Sequence, residues 1–339
     1  MEQLRSDLLD LVQIPGPSGY EGEVAKWISP KIQPYFSKVE IDGMGNLLAI
    51  KEGPPGAKVF VAMAHMDEVS MVVTYAGDGF IRFDYVGSIN PAVVVGQPVR
   101  VLTQSGPIPG VVCSPSVHLG QRVGELWIDV GPRANRVEPG DPIIFDTTPR
   151  WLDDEKKVLA TKAADDRTGC AILIDTARRL ANMDFGITLI FAFTVQEEVG
   201  LRGARVAAYA EDPDAAVVLE CTAANEVPNR RDMSPSTQLG QGPAVTIMDN
   251  SFIADPQLVE HFLSLAASKG IPVQVKQPNI GGTDAGAIQR TRRGVAAITL
   301  AVPARYIHSA ASIMNAADFD YMKALAREAM PLLEEALRK

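Results

Sequence analysis

The chain is organised around an apolar segment that ends in a pair of adjacent glutamates. Residues 187–193 are apolar or β-branched, which predicts a strand buried on both faces of a sheet. Glu197 and Glu198 follow where this strand runs out, and Gly200 gives the backbone freedom directly after them. A pair of this kind is usually a solvated acidic turn, so its meaning depends on which residues end the neighbouring strands.

Other predicted strands also lead into residues that can bind a cation. These are His65 after residues 58–64, Asp165 after residues 160–164, Glu220 after residues 215–219 and His308 beyond residues 296–300. Sites in open α/β sheets form at the carboxyl ends of strands, so these side chains can converge. Several carboxylates in one pocket would repel one another, and two divalent cations remove that repulsion. Because carboxylates and imidazoles together suit zinc, cobalt or manganese, the pattern predicts a binuclear metal site.

Each of these residues also has a structural interpretation when it is considered alone. His65 would more often be a structural histidine, and Asp165 is typical of a helix N-cap. Asp67 can point the same way as His65 and hold its ring, as carboxylates beside metal-binding histidines commonly do. Asp284 precedes a predicted helix and is expected either to cap it or to line a substrate pocket. Considered together, the converging residues favour the metal site.

Residues 70–156 have a different pattern from the rest of the chain. Short β-branched runs alternate there with Gly and Pro and show no helical periodicity, which predicts a small β-barrel or sandwich. On either side, apolar strands alternate with amphipathic helices, and 339 residues exceed one ordinary domain. We therefore expect an α/β catalytic domain, residues 1–69 and 157–339, with an inserted β-barrel domain. Open β edges on the insertion would be covered by other subunits of a homo-oligomer.

Two helix starts are predicted from their capping residues. Ser18 and Glu21 have the spacing of a capping box at the start of the second helix. Asn315 precedes the last helix and is a favourable N-cap. Residues 39–41 and 47–50 are separated by a turn that contains glycine, and they predict a β-hairpin.

The composition limits the classes of partner and the compartment. A net charge of −9 argues against nucleic acid or an anionic membrane as a partner. Cys113, Cys170 and Cys221 are widely spaced and form no metal-binding pattern, which is typical of a reducing compartment. The N-terminus has no signal-peptide core and no apolar run reaches about 18 residues, so we expect a cytoplasmic protein. His118 and His261 are expected to have structural or surface roles.

Five motifs in the chain resemble those of the tetrahedral, deblocking-type metallo-aminopeptidases, family 42 of metallopeptidase clan MH. They are residues 65–68 (His-Met-Asp-Glu), 162–167 (Lys-Ala-Ala-Asp-Asp-Arg), 196–204 (Gln-Glu-Glu-Val-Gly-Leu-Arg-Gly-Ala), 281–286 (Gly-Gly-Thr-Asp-Ala-Gly) and 303–309 (Pro-Ala-Arg-Tyr-Ile-His-Ser). The resemblance runs nearly end to end, and the family has also been labelled glutamyl aminopeptidase or endoglucanase. It implies a phosphorylase/hydrolase-like α/β/α sandwich with an inserted small β-barrel domain. It also implies dimers that assemble into a dodecamer, with active sites that face an inner chamber.

The resemblance also implies a role for each candidate residue. The implied ligand set holds two divalent ions, zinc or cobalt: Asp165 bridges both, His65 and Glu220 complete one site, and Glu198 and His308 complete the other. Glu197 is implied as the general acid/base, which takes a proton from a metal-bridging water and passes it to the leaving amine. Glu220 departs from the family, which usually has Asp there, and its extra methylene moves the carboxylate by ~1.5 Å. The peptide bond between Asp165 and Asp166 is implied to be cis.

These features predict a binuclear-metal aminopeptidase that hydrolyses N-terminal residues from peptides through a metal-bridging hydroxide, with Glu197 and Asp67 as its catalytic residues. A metallo-deacylase or carboxypeptidase-type amidohydrolase would use the same metals and base, and it is the first alternative. A glycoside hydrolase is a weaker alternative, because its carboxylates must flank the bond at ~5–9.5 Å and adjacent Glu197 and Glu198 are poorly placed. A metal-free binding protein is expected only if Glu220 abolishes the site. The pattern does not predict which N-terminal residue is preferred.

Overall fold

The computed structural model describes residues 2–115, 122–226, 236–278 and 281–333. His118 lies outside the described residues. The α-helices in these ranges are α1 (Glu2–Leu11), α2 (Gly22–Ile32), α3 (Ala164–Leu180), α4 (Arg202–Glu211), α5 (Pro256–Lys269), α6 (Ala285–Gln289) and α7 (Ala316–Ala329). Within the same ranges, no helix combines the length and the apolar character that crossing a lipid bilayer requires.

The strands divide between a large sheet and a small barrel. They are β1 (Lys38–Ile41), β2 (Leu47–Lys51), β3 (Val59–His65), β4 (Ser70–Gly77), β5 (Phe80–Val86), β6 (Pro98–Thr103), β7 (Gly106–Cys113), β8 (Trp127–Asp129), β9 (Pro142–Phe145), β10 (Arg150–Trp151), β11 (Val158–Thr161), β12 (Thr188–Thr194), β13 (Ala215–Ala223), β14 (Ala244–Thr246), β15 (Gln274–Lys276), β16 (Ala296–Arg305) and β17 (Ser312–Asn315). The large sheet has the order β1-β2-β12-β3-β13-β16-β17-β11-β10, with β14 and β15 joined to it through β16.

The centre of the large sheet is parallel and fully buried. Strands β12, β3, β13 and β16 run in the same direction, and their residues are almost entirely apolar and buried. Sheets of this kind need helices on both faces, which is why these strands read as continuous apolar runs. Helix α3 packs against β3 and β13, and α5, α6 and α7 pack against β16. The predicted α/β/α sandwich is confirmed, and so is the hairpin formed by β1 and β2.

Strands β4 to β9, within residues 70–145, form a closed antiparallel barrel. Its six strands follow each other around the barrel in the order β4-β5-β8-β7-β6-β9, and β9 pairs with both β4 and β6. Side chains such as Ile81, Val101 and Ile128 fill the interior. The expectation of open β edges on the insertion is therefore wrong, because the pairing of β9 closes the barrel and leaves no free edge among these strands.

Of the two predicted helix starts, one differs from the structure and the other is confirmed by it. Ser18 and Glu21 do not form a capping box, because the Ser18 hydroxyl donates to Asp67 and Glu21 accepts from the backbone of Gly19 at 2.8 Å. The predicted N-cap Asn315 is confirmed, since its side chain accepts from Ala317 N at 2.8 Å.

Two strands end at residues other than those predicted. Strand β11 ends at Thr161, before Asp165, since Ala163 adopts a left-handed conformation with φ of 53°. Strand β13 does not end at Glu220 but continues to Ala223, because it stays paired with β16 along this length. Both acidic residues nevertheless lie at the carboxyl edge of the sheet.

Candidate metal centre and active site

The carboxyl edge of the sheet brings the predicted site residues together. Parallel strands β3, β12 and β13 present their carboxyl ends to the same edge, and the loops after β11 and β16 reach it as well. The residues gathered there are His65, Asp67, Asp165, Glu197, Glu198, Glu220 and His308. All of them except Glu198 and His308 are buried.

Asp165 lies between the two histidines. Its Oδ1 is 3.1 Å from His65 Nε2, and its Oδ2 is 3.3 Å from His308 Nε2. The peptide bond between Asp165 and Asp166 is cis, in agreement with the family resemblance. One carboxylate thus faces two imidazoles with its two separate oxygens, which is the arrangement needed for a bridging ligand.

A second carboxylate accompanies each histidine. Glu198 Oε2 lies 3.4 Å from His308 Nε2, and Glu220 Oε2 lies 3.5 Å from His65 Nε2. Glu220 Oε2 also accepts from the backbone N–H of Cys221 at 3.2 Å. The longer side chain of Glu220 therefore still reaches the imidazole of His65 from a position inside strand β13.

Asp67 fixes the backbone that carries the adjacent glutamates. Its Oδ1 accepts from Glu197 N at 3.0 Å, and its Oδ2 accepts from Glu198 N at 3.1 Å. His65 Nδ1 lies 3.3 Å from Asp67 Oδ1 and 3.1 Å from the backbone oxygen of Asp67. The Ser18 hydroxyl completes the set by donating to Asp67 Oδ2 at 2.6 Å. One buried carboxylate therefore holds a histidine ring and both glutamate backbones.

Asp166 belongs to the cluster, although sequence reasoning gave it no role. One ligand atom each from His65, Asp166 and Glu220 lie within 4.8 Å of one another. Asp166 Oδ1 accepts from Gly169 N at 2.9 Å, so Asp166 caps the regular part of α3 and Asp165 does not. Among the described residues, Asp166 Oδ2 has no hydrogen-bond partner. The adjacency of Asp165 and Asp166 was the signal that could have identified it.

Burial raises the proton affinity of the glutamates in the cluster. Burial raises the pKa of Glu198 to about 8 and that of Glu220 to about 7, and the charge of Asp165 adds to both shifts. The pKa of Glu197 is raised well above its usual range by burial, against the effect of His65. These carboxylates cannot all remain ionised side by side unless cations compensate their charge.

In the two histidines and in Asp165, neighbouring charges and hydrogen bonds shift the pKa against the effect of burial. Burial alone would lower the pKa of His308, but its hydrogen bond to Asp165 and the charge of Glu198 raise it to about 9. Burial likewise opposes protonation of His65, yet the charge of Glu220 helps raise its pKa well above the usual range. Burial favours protonated Asp165, but its hydrogen bonds to His308 and His65 hold its pKa below the usual range. The site therefore favours positive charge between its carboxylates.

The donor set fits divalent cations of the zinc and cobalt class. Ligand atoms of His65, Asp165 and Glu198 lie within 4.8 Å of one another, and the group around Asp166 forms a second such set. Imidazole nitrogens with carboxylate oxygens are the donors that zinc prefers in catalytic sites. Glu198 Oε1 has no hydrogen-bond partner within the described part of the chain, which is unusual for a buried oxygen and suits a ligand atom.

A cavity of about 280 Å³ opens beside the cluster. Its walls include Asp165, Glu197, Glu198, Glu220 and His308, together with Thr222, Lys276, Gly281, Gly282 and Thr283. The loop that contains the last three residues was identified from the sequence. Lys276 was not, although it lies just before that loop. The cavity therefore joins the acidic cluster to a wall of small, hydroxyl and cationic residues.

Two other residues considered in the sequence analysis, Asp284 and His261, have contacts outside the cluster. Asp284 is not the cap of α6, because its side chain makes no capping hydrogen bond and its Oδ2 accepts from the Thr194 hydroxyl at 2.6 Å. Burial raises the pKa of Asp284 to about 6. His261 lies on α5, where its ring packs edge-on against Phe262 with 5.5 Å between the centroids.

Comparison with known proteins identifies relatives along nearly the whole chain. Residues 45–325 match the sequence profile of the family described as M42 glutamyl aminopeptidase. The lysyl aminopeptidase of Pyrococcus furiosus is 32% identical over 341 residues, which cover 96% of this chain and 95% of that protein.

Solved structures of aminopeptidases share the same architecture. An aminopeptidase from the archaeon Desulfurococcus kamchatkensis has a TM-score of 0.92 and 30% identity, covering 99% of this chain and 97% of that one. The Pyrococcus horikoshii TET1 peptidase, which can assemble into a tetrahedron or a large octahedral shell, has a TM-score of 0.83 and 31% identity. That comparison covers 96% of this chain and 98% of the other.

Proposed function

Because the chain belongs to the M42 glutamyl aminopeptidase family, we propose that it is a binuclear-metal aminopeptidase that hydrolyses N-terminal residues from peptides. The observation that carries the binuclear proposal is the position of Asp165 between His65 and His308. A single metal site would not need one carboxylate to face two imidazoles with separate oxygens. Each imidazole also has a second carboxylate beside it, Glu220 or Glu198.

The ligand roles follow from these contacts. Asp165 would bridge two ions, with His65 and Glu220 at one and Glu198 and His308 at the other. When bound, two divalent cations such as zinc or cobalt supply polarisation of the scissile carbonyl and a lowered pKa for water between them. Asp67 keeps the ring of His65 oriented through the contact to Nδ1, which leaves Nε2 facing the cluster.

Glu197 is proposed as the general acid/base. Its backbone is fixed by Asp67, its side chain is buried in the cluster, and it lines the cavity. A carboxylate oxygen of Glu197 takes the proton from the attacking water, and the same oxygen then protonates the leaving amine. The raised pKa of Glu197 suits this exchange, since a carboxyl group that stays protonated to a higher pH can donate a proton near neutral pH.

The acidic cavity wall explains why a free N-terminus would be selected. Glu197, Glu198 and Glu220 line the cavity, and a substrate amino group placed beside them would meet carboxylates. A blocked N-terminus has no basic amine to place beside these groups, and its acyl group takes up additional space in a cavity of about 280 Å³. This arrangement favours an exopeptidase acting on unblocked peptides.

A substrate panel tests the proposed activity against its alternatives. The purified protein would be treated with a chelator, reconstituted with zinc or cobalt, and assayed on four substrate classes. These are aminoacyl p-nitroanilides, N-acylated amino acids, N-blocked peptides and p-nitrophenyl glycosides. We expect turnover only of the unblocked aminoacyl compounds, and only with metal restored. Turnover of N-acyl substrates would instead support a deacylase or carboxypeptidase, and turnover of glycosides would support a glycoside hydrolase.

We also propose that the chain forms a homo-oligomer through the barrel inserted at residues 70–156, with a dodecamer as the assembled form. A related TET1 structure is a dodecamer, at 31% identity and a TM-score of 0.85. The barrel supports this proposal with an exposed row across adjacent strands. Phe80 and Val111 both pair with Asp129 in register, so the three side chains share one face.

A further inference from the structure

A groove between helix α4 and the end of α6 has no part in the proposed hydrolysis. Its volume is about 780 Å³, which is within the range of ligand-binding pockets. Two small residues, Ala210 and Ala287, leave space between its larger side chains. Val206 and Tyr209 line it as well and are 41% and 63% exposed. The groove therefore offers an open surface that combines apolar and aromatic groups.

Leu201 connects this groove with the catalytic cavity. It lines both of them, and the groove also includes Gly200, which closely follows Glu198 in the chain. Helix α4 begins directly after Leu201 and forms one wall of the groove. A helical rise of ~1.5 Å per residue puts Tyr209 ~12 Å beyond Leu201, a distance that about four extended residues cover. A peptide with its first residue in the cavity therefore has room for its next residues along the groove.

The groove is cationic, although the protein as a whole is acidic. The chain has a net charge of −9, yet Arg205, Arg290 and Arg292 line the groove, and none of the described residues in its lining carries a carboxylate. Asp212 lies beside the groove, 3.5 Å from Arg292 Nε, and offsets part of one of the three charges. The remaining positive charge favours an anionic ligand.

Two of these arginines are held in place by backbone oxygens. Arg292 Nε donates to Tyr209 O at 2.7 Å, and its guanidinium carbon lies 4.3 Å from the centroid of the Tyr209 ring. Arg290 Nε donates to Gly286 O at 2.7 Å. The guanidinium of Arg205 forms no hydrogen bond or ion pair with the residues that the structure describes. Guanidinium groups bind carboxylates through two nitrogens, and those that are already held in place lose less freedom when they do so.

The continuity of the groove with the cavity and its charge point to one occupant. We propose that the groove binds the residues that follow the scissile bond of a peptide substrate, and that its arginines bind a carboxylate within about four residues of that bond. This inference rests on the proposed aminopeptidase function and adds to it a second recognition site. The carboxylate comes either from an acidic side chain or from the C-terminus of a short peptide.

Three pentapeptides with the same first residue test the inference and distinguish the two sources of the carboxylate. They are Leu-Ala-Ala-Glu-Ala amide, Leu-Ala-Ala-Gln-Ala amide, and Leu-Ala-Ala-Gln-Ala with a free C-terminus. We expect one or both of the charged peptides to exceed the neutral amide in kcat/KM by ~2- to 5-fold, as exposed ion pairs of this kind allow. The difference should shrink at high salt, which screens exposed charges. Equal values for all three peptides at low salt would overturn the inference.

The double variant Arg205→Gln with Arg290→Gln removes two of the charges that line the groove. We expect it to lose the preference for the charged peptide, and Arg205→Gln alone to lose part of it. Arg293→Gln is the matched control, because Arg293 is exposed next to Arg292 but does not line the groove. It should retain the preference. An equal loss in the control would reduce the effect to overall charge and would overturn the inference.

A second copy of the chain is the other occupant that a surface with tyrosine and arginine would fit. Light scattering on the double variant distinguishes the two: a smaller assembly with an unchanged peptide preference would overturn the inference. An equal loss on the pentapeptides and on leucyl p-nitroanilide would also overturn it, because the anilide has no further residues to place in the groove. No turnover of any aminoacyl substrate would count against the proposed function itself, and calorimetric titration with the same three peptides would then test the groove directly.

Discussion

Asp67 Oδ1 accepts a hydrogen bond from the backbone N–H of Glu197 at 3.0 Å, so the proposed base is positioned by a residue from a neighbouring strand end. The same carboxylate contacts His65 Nδ1 at 3.3 Å, and it therefore links the proposed base to a proposed metal ligand. Both contacts are buried, where a lost hydrogen bond leaves polar groups unpaired. Asp67 thus acts on the chemistry through its neighbours.

We expect Asp67→Ala to lower both metal affinity and turnover. Loss of a carboxylate that orients a metal-binding histidine typically reduces metal affinity by ~10- to 100-fold. Metal titration by calorimetry and kcat at saturating metal would measure the two effects separately. Asp153→Ala is a suitable control, since Asp153 also accepts from a backbone N–H, at Val158 N, but lies outside the cluster. An Asp67→Ala enzyme with unchanged metal affinity and turnover would contradict this role.

The adjacent glutamates should respond differently to the same substitution. Glu198→Gln removes a proposed ligand charge beside His308, so the affinity for metal should fall by at least ~10- to 100-fold and metal occupancy should fall with it. Glu197→Gln keeps the shape of the side chain but cannot accept a proton, so turnover should fall by ~10²–10⁴-fold with metal content intact. Metal stoichiometry and turnover would be measured on both variants in parallel. If Glu197→Gln loses metal and Glu198→Gln retains it, the assigned roles are reversed.

A buried ion pair supports the turn that presents Asp165. Lys162 Nζ donates to both carboxylate oxygens of Glu68 at 2.7 Å, and the two side chains are 1% and 2% exposed. Lys162→Met leaves the buried charge of Glu68 with Arg167 at 3.8 Å as its remaining cation, and should lower the free energy of unfolding by about 3 kcal/mol. The double variant Lys162→Met with Glu68→Gln should recover part of this loss. Denaturant unfolding at one fixed protein concentration would measure both, and equal stabilities of the two variants would contradict the pairing.

The sequence predicted the cluster well because strand ends are a strong constraint. His65 ends an apolar strand, and Glu197 and Glu198 follow another, so their shared edge followed from parallel pairing alone. Glu220 lies inside β13, which continues because β16 stays paired with it, and no apolar pattern shows that pairing. The sequence therefore identified which residues meet but misplaced some of the strand ends that carry them.

The contacts between distant segments could not be predicted. Ser18 and Glu21 have the spacing of a capping box, yet Ser18 donates to Asp67 and Glu21 accepts from Gln196 N at 3.0 Å. Lys276 ends the short strand β15 with no motif around it, and only the folded structure shows that it lines the cavity beside the cluster. Local signals of this kind are overridden when a tertiary partner offers a stronger hydrogen bond.

The exposed row on the barrel leads to a prediction about assembly. Phe80 is 45% exposed and Val111 is 44% exposed, and the Phe80 ring lies 6.0 Å from that of Trp127. Phe80→Glu would place a charge in an apolar contact between copies and should dissociate the proposed oligomer into smaller species. Light scattering coupled to size-exclusion chromatography would measure the mass. Ile41→Glu is the control, because Ile41 is also apolar and is more exposed, at 60%, but lies on β1 of the large sheet. If Ile41→Glu dissociates the assembly and Phe80→Glu does not, the subunit contact lies on the catalytic domain; a wild-type monomer at micromolar concentration would contradict the assembly proposal altogether.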